Sequence, residues 1–296
     1  MASVQDLKRR VRSVKNTRKI TKAMELVASA RLRRAQARIE AMRPYAETMR
    51  ELIAGVGRSS SSVRGLPLLQ QREQVQTVAI VPLTGDRGLA GPFNAQILRR
   101  AFALERELRG EGAAVRFVAV GKKGRSTFAF RHYEVAGEFT GFTDRPAYAD
   151  AQAIAHRVAE LFIEGEVDRV ILIYNAYVSP LVQRVTEQDV LPVSADILET
   201  DDEQRRDDAM RGDFIFEPEP EEILERLLPV YVETQVYRAL LESAASEQGA
   251  RMTAMRNASK NAGELIDTLT LQMNRARQAE ITQEILEVVG GAEALS

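Results

Sequence analysis

The 296-residue chain has no cysteine, no tryptophan and only two histidines. Without cysteine there is no disulfide, no thiol nucleophile and no thiol-based redox switch, a composition that suits a reducing compartment. His132 and His156 have neither cysteines nor a carboxylate pair at ligand spacing beside them, so no metal centre is expected. No apolar run approaches the ~18 residues of a membrane span, and no charged–apolar–small pattern marks a signal peptide. No serine sits in a G-x-S-x-G context, and no group of residues has the look of a catalytic assembly.

Glycine is missing between Val4 and Leu52, where Pro44 is the only proline, and proline is missing after Pro229. These gaps frame two long helices. From Leu224 to Leu295 the pattern is apolar at 3–4 spacing through Leu241, Ala245, Gln248, Met252, Met255, Ser259, Ala262, Ile266, Leu269, Met273 and Ala276. Gly249 and Gly263 lower helix propensity but stand beside no turn signal, so one helix is expected. At the other end Val4, Leu7, Val11 and Val14 form a stripe, and Ile20, Ala23, Val27, Ala30, Arg34, Ala37 and Ala41 are expected to continue it. Pro44 can bend that helix, because it removes a backbone donor. A C-terminal helix of some sixty residues would be on the order of 90 Å long and needs a partner along its length. The N-terminal helix is the only comparable segment.

The near-neutral net charge of −1 hides a segregation. Residues 1–50 carry fourteen Lys and Arg against four Asp and Glu, and the remainder carries 27 against 38. A basic arm raises nucleic acid as a partner, but Tyr45 is its only aromatic residue able to stack on a base. A solvated helix face explains the same charge.

Between the helices the texture changes. Gly55, Gly57, Ser59–Ser62 and Gly65-Leu66-Pro67 read as a flexible joint over residues 55–74. Strands are expected at Val75–Pro82, Ala114–Val120, Val167–Tyr174 and Gln183–Leu191, with helices at Phe93–Leu108 and Tyr148–Phe162. Such alternation argues an open, Rossmann-like α/β sheet over 75–198. An acidic stretch, 199–222, leads into the C-terminal helix at 223–296, opposite the N-terminal helix at 1–54. The fold class is therefore mixed: an α/β domain plus a long antiparallel coiled coil of the two terminal helices. The loop Thr84–Gly91 lies between a strand and a helix, where nucleotide folds place phosphates. It lacks both the Lys-Ser/Thr of a P-loop and the GxGxxG spacing, and Pro92 is expected at the first helical position. Gly121 and Gly124, with Lys122 and Lys123 between them, are equally unspecific.

The C-terminal run Asn274–Leu295, NRARQAEITQEILEVVGGAEAL, closely resembles the signature of the gamma subunit of F-type ATP synthases, I-T-x-E-x-x-E-x-x-x-G-A, at Ile281, Thr282, Glu284, Glu287, Gly291 and Ala292. Ser246–Leu265, Asn16–Ala30, Arg43–Met49 and Thr84–Gly91 resemble further blocks of that family, with Ala90 where many relatives have cysteine. The resemblance implies a non-catalytic central-stalk rotor subunit without cofactor or metal. Its implied partners are a hexamer of alternating alpha and beta subunits, an epsilon subunit and a ring of c subunits. It also implies peripheral attachment at the cytoplasmic face of the cell membrane. Contact residues carried over from the family are Lys22 and Met24 on the first helix, and Arg277, Gln278, Thr282, Glu284 and Glu287 on the second. The apolar residues Ile285, Leu286, Val288, Val289 and Leu295 are expected to plug an apolar collar of the hexamer. The alternative class is a coiled-coil nucleic-acid-binding or scaffold protein, with an α/β enzyme behind it.

Overall fold

The computed structural model describes residues 3–57, 65–198 and 218–293. Among the described residues five helices, α1 (Val4–Gly57), α2 (Phe93–Gly110), α3 (Lys122–Phe130), α4 (Tyr148–Ile163) and α5 (Pro220–Glu293), accompany five strands, β1 (Thr77–Pro82), β2 (Ala114–Val120), β3 (Val135–Phe139), β4 (Arg169–Tyr177) and β5 (Gln183–Leu191). Helix α1 runs through Pro44, and α5 runs through Pro229, Gly249 and Gly263. The chain divides into two compact units, 30–250 and 1–29 with 251–296, so each long helix contributes to both.

In the larger unit the sheet has the order β3-β2-β1-β4-β5. The first four strands run parallel and β5 is antiparallel to β4. Because alternate residues of a strand face opposite sides, β1 and β4 sort their apolar side chains into two cores. Ala79, Val81, Val170 and Leu172 join α4, the end of α1 (Ile53, Val56) and the start of α5 (Leu224, Leu228, Val232, Val236). Val78, Ile80, Ile171 and Ile173 meet α2 and α3 on the other face, with Ile97, Ala101, Phe117 and Phe128. The result is three layers, helices on both sides of a sheet whose central strands read as continuous hydrophobic runs.

Two elements have no counterpart in the sequence reading. Helix α3 is only nine residues long with a Lys-Lys-Gly start, and β3 (VAGEF) is a half-exposed edge strand interrupted by Gly137. Neither gives a periodic signal. Pro92 precedes the first helical residue as the N-cap of α2, one position earlier than expected. Of the expected joint, residues 55–57 complete α1, and Leu66, Leu68 and Leu69 are buried around a short 3-10 turn, so apolar content overrides the glycine and proline signal there. Residues 58–64 and most of the acidic stretch, 199–217, lie outside the described residues, and α5 begins at Pro220 within that stretch's expected span.

The smaller unit is a two-stranded antiparallel coil. Leu7 and Val11 pack with Ile266 and Leu269, flanked by Val14, Met273 and Ala276. Further along, Thr21 Oγ1 and Ser259 Oγ lie 2.7 Å apart, and Arg256 Nε donates to Glu25 Oε1 at 3.2 Å. Rising numbers on α1 meet falling numbers on α5, which fixes the antiparallel sense.

The expected seam of α5 is buried from Leu241 to Leu269, with Ser259 half-buried. The expected continuation on α1 is not. Ile20 and Val27 are 61% and 54% exposed, and Ala23, Ala30, Arg34, Ala37 and Ala41 are also on the surface. The buried track instead keeps its 3–4 phase from Leu7 and Val11 through Thr21, Glu25, Ala28 and Leu32 to Met49, Ile53 and Val56. A seam read by apolarity alone slips one residue at this point, because the two positions that carry the phase are Thr and Glu.

Candidate partner-contact surface

The polar step in the seam is locally satisfied. Glu25 is 7% exposed and accepts from Lys22 Nζ at 3.0 Å as well as from Arg256. The Lys22 hydrogen bond, then the bond from Arg256 and the charge of both cations, outweigh burial and hold the Glu25 carboxyl below its usual range. A polar position in a coil seam fixes register at some expense in stability.

Displacing Ile20 and Val27 from the seam gives α1 a second apolar track. Ile20, Met24 and Val27 stand at i, i+4 and i+7, one face of a helix, and Leu26 beside them is 61% exposed. Met24 is half-buried and Lys22 exposed. On α5, Leu265 and Leu271 are likewise exposed.

The remaining expected contact residues sit elsewhere. Leu7 is level with Ile266 and Leu269, so α5 outruns α1 from about Arg277 onward. Every residue from Arg277 to Val289 is exposed. Arg277, Gln278, Thr282, Glu284 and Glu287 lie on this overhang together with Ile281, Ile285, Leu286, Val288 and Val289, which are 48–72% exposed. Thr282 Oγ1 donates to Gln278 O at 2.9 Å, and Gln283 Nε2 to Glu287 Oε1 at 3.0 Å. Gly291 and Ala292 are helical, and Leu295 lies outside the described residues. The seven sequence-derived residues therefore form two groups. Lys22 and Met24 stand near the level of Arg256, about 30 Å along the helix axis from Arg277 at 1.5 Å per residue. The sequence pattern placed Ile20 and Val27 in the buried seam; the structure turns them outward, beside Met24.

The phosphate-like loop is filled by the protein itself. Asp86 accepts backbone N–H bonds from Lys122 (3.0 Å), Gly141 (2.9 Å) and Thr143 (3.1 Å), and the Thr143 hydroxyl at 3.0 Å. Burial pushes this carboxyl up, but the four donors together outweigh it and hold Asp86 below the usual carboxylate range. Thr84 Oγ1 donates to Val120 O at 2.6 Å and accepts from Gly124 N at 2.8 Å. Gly121, at φ +86°, leaves no room for a Cβ, which would fall 2.0 Å from Thr84 O. The glycines thus serve the close approach of two loops, and the start of α3 is capped by an internal carboxylate where an anion would otherwise sit.

His156 Nε2 lies 3.0 Å from Glu233, a buried carboxylate on α5 that also accepts from Tyr148 Oη at 2.7 Å. Burial first, and the Glu233 carboxylate next, push the Tyr148 hydroxyl far up. The His156–Glu233 contact joins residues 77 apart in sequence and has no local signal. Among the described residues, no group of three or more His, Cys, Asp or Glu is placed to hold a metal ion.

A two-helix antiparallel coil with apolar residues facing outward and an uncovered helical overhang, carried on a chain with a three-layer α/β unit, defines a subunit that works through protein contacts along its helices. The comparisons with known proteins make this specific. A family model described as ATP synthase matches residues 3–295. The ATP synthase gamma chain of Rubrobacter xylanophilus is 49% identical over 296 residues, covering 100% of this chain and 99% of that one. The gamma chain of Desulforamulus reducens is 47% identical, with both chains fully covered. The chain belongs to the ATP synthase gamma-chain family. A chain from the Euglena gracilis mitochondrial ATP synthase, at 20% identity, shares the fold with a TM-score of 0.68 over 99% of this chain and 94% of that one. Among the described residues, no helix is long and apolar enough to cross a membrane.

Proposed function

We propose that this chain is the non-catalytic central-stalk rotor of an ATP synthase, coupling ion translocation in the membrane sector to ATP synthesis or hydrolysis on the beta subunits. Its partners in this reading are the alpha and beta subunits, an epsilon subunit and the c-subunit ring, with peripheral attachment at the cytoplasmic face of the cell membrane. The kinship to bacterial gamma chains along the whole length supports the assignment. The observation that carries the mechanism is the uncovered apolar surface of the coil: Ile20, Leu26 and Val27 on α1 and the run Ile281–Val289 on α5. Contiguous exposed apolar surface of this kind marks a docking face. Burying one such side chain contributes roughly 1.5–3 kcal/mol, so a surrounding collar would hold the overhang with several kcal/mol.

A shaft biases a catalytic site only by touching its conformations unequally. Moving a site from 1:99 to 99:1 takes about 5.5 kcal/mol, whereas a surface ion pair supplies under about 1 kcal/mol, so many contacts must act together. Lys22 and Met24 form one such contact group in this reading, and Arg277, Gln278, Thr282, Glu284 and Glu287 a second. The coiled-coil nucleic-acid or scaffold alternative has no support among the relatives.

Reconstitution tests the reading. Mixing this chain with cognate alpha and beta subunits should give a soluble ATPase holding one copy of it, and failure to assemble refutes the assignment. Met24→Lys should leave assembly intact and lower ion pumping per ATP hydrolysed. Unchanged pumping would remove Met24 from the contact surface.

A further inference from the structure

On the face of the sheet covered by α2 and α3 there is a cleft of about 630 Å³ that neither terminal helix lines. Its wall is one stripe of α2, Arg99, Phe102, Arg106 and Arg109, spaced i, i+3, i+7 and i+10. Arg131, the C-cap of α3, and Tyr133 close the other side. Four guanidiniums thus meet a single carboxylate, Glu105. That carboxylate is already engaged, buried at 3% exposure, with Arg109 Nε at 2.8 Å and Tyr133 Oη donating to it at 3.2 Å. Arg99, Arg106 and Arg131 make no ion pair among the described residues. Arg106 Nε donates only to Phe102 O at 3.2 Å.

Arg131 stacks on Phe102, its guanidinium carbon 4.4 Å from the ring centroid. Stacking uses the face of a guanidinium and leaves the in-plane N–H donors unspent, and fixing the plane lowers the entropy lost when those donors bind an anion. Phe102 is itself held by edge contacts to Phe117 and Phe128, both fully buried in the core. The stage is therefore rigid where Arg131 rests on it. Arg99 and Arg106 stand two turns apart on one stripe, about 10 Å along the helix axis, so the cleft offers cationic groups along its length, an arrangement suited to a chain of phosphates or a multiply phosphorylated group. The volume lies within the range of small-ligand sites, about 300–1,000 Å³.

We infer that this cleft binds a multiply charged phosphate compound. The same chemistry is offered by free polyphosphates and nucleoside triphosphates and by the headgroups of anionic phospholipids. An acidic protein segment would also answer four arginines, but each of its carboxylates carries a single charge, less per group than a phosphate.

The test is calorimetric titration of the full chain with tripolyphosphate and with ATP at low salt, alongside flotation with phosphatidylglycerol vesicles. The double variant Arg99→Gln/Arg106→Gln is compared with Arg116→Gln, an exposed arginine of β2 outside the cleft, with circular dichroism checking that each folds. Saturable binding of either soluble phosphate, weakened at least tenfold in the double variant and unchanged in Arg116→Gln, supports a soluble ligand. Vesicle binding lost in the double variant but kept in Arg116→Gln, with neither soluble phosphate bound, assigns the site to a lipid headgroup. No binding of any phosphate, an equal loss in Arg116→Gln, or binding of polyglutamate that phosphates do not displace overturns the inference.

Discussion

Replacing Asp86 by Ala should destabilise the α/β unit without touching any apolar contact. The side chain serves three backbone donors and one hydroxyl, yet the cost is uneven. Lys122 and Gly141 are exposed, so water can take over their N–H groups, whereas Thr143 is 7% exposed and its N–H and hydroxyl hydrogen lose their acceptor. An orphaned buried donor costs about 1–3 kcal/mol and a lost helix cap about 1 kcal/mol, giving a total of about 2–4 kcal/mol. All seven tyrosines lie between Tyr45 and Tyr237, and the chain has no tryptophan, so tyrosine fluorescence during urea unfolding reports on the 30–250 unit alone. Because the folded Asp86 carboxyl lies below its ordinary 3.8, its contribution is complete well above that value and disappears as the pH falls through the folded value. The gap between the parent chain and Asp86→Ala should therefore be full at pH 7 and close below pH ~4. A cost under ~0.5 kcal/mol at pH 7, or a gap that does not change with pH, would refute the account of the loop.

The other predictions concern the helices and can be read by hydrogen exchange on peptides of α1 and α5. Gly263→Ala should stabilise by about 0.5–1 kcal/mol, because a Cβ there meets only Arg18 at 3.7 Å and helix propensity rises. Gly249→Ala should gain less or lose, since its Cβ would come 3.1 Å from Pro180 O; equal gains at both sites would contradict that packing. Thr21→Val or Ser259→Ala alone should cost about 1 kcal/mol, and the pair together less than the two added, with strict additivity counting against the 2.7 Å hydrogen bond. Glu25→Leu should be neutral or stabilising by about 1 kcal/mol, since an apolar side chain restores the seam and both cationic partners are already half in water. A clear loss of protection would show that the ion pairs contribute more to stability than to register.

Much of the architecture was legible because it rests on local periodicity. Strands β2 and β5 have the bounds expected from the sequence, and α2, α4, β1 and β4 differ by one to three residues at their ends. The weakly patterned elements were not legible. β3 and α3 owe their conformation to the sheet edge and to Asp86, which lies 36 residues before Lys122. Of the contact surface, the residues Lys22, Met24 and Arg277–Glu287 came from the resemblance, while their separation into two groups follows only from where the antiparallel helices meet.

The sequence alone determined that both ends of the chain are helices, that a sheet lies between them, and which family they belong to. Those follow from spacing, glycine and proline placement, and a run of shared residues, all readable along one dimension. Tertiary structure decided which stripe of α1 is inside. Two stripes of similar apolarity compete there, and the choice went to the one whose Thr21 and Glu25 find partners in Ser259 and Arg256. A buried polar group is tolerated when its partner is across the interface, and no pattern within a single helix carries that information.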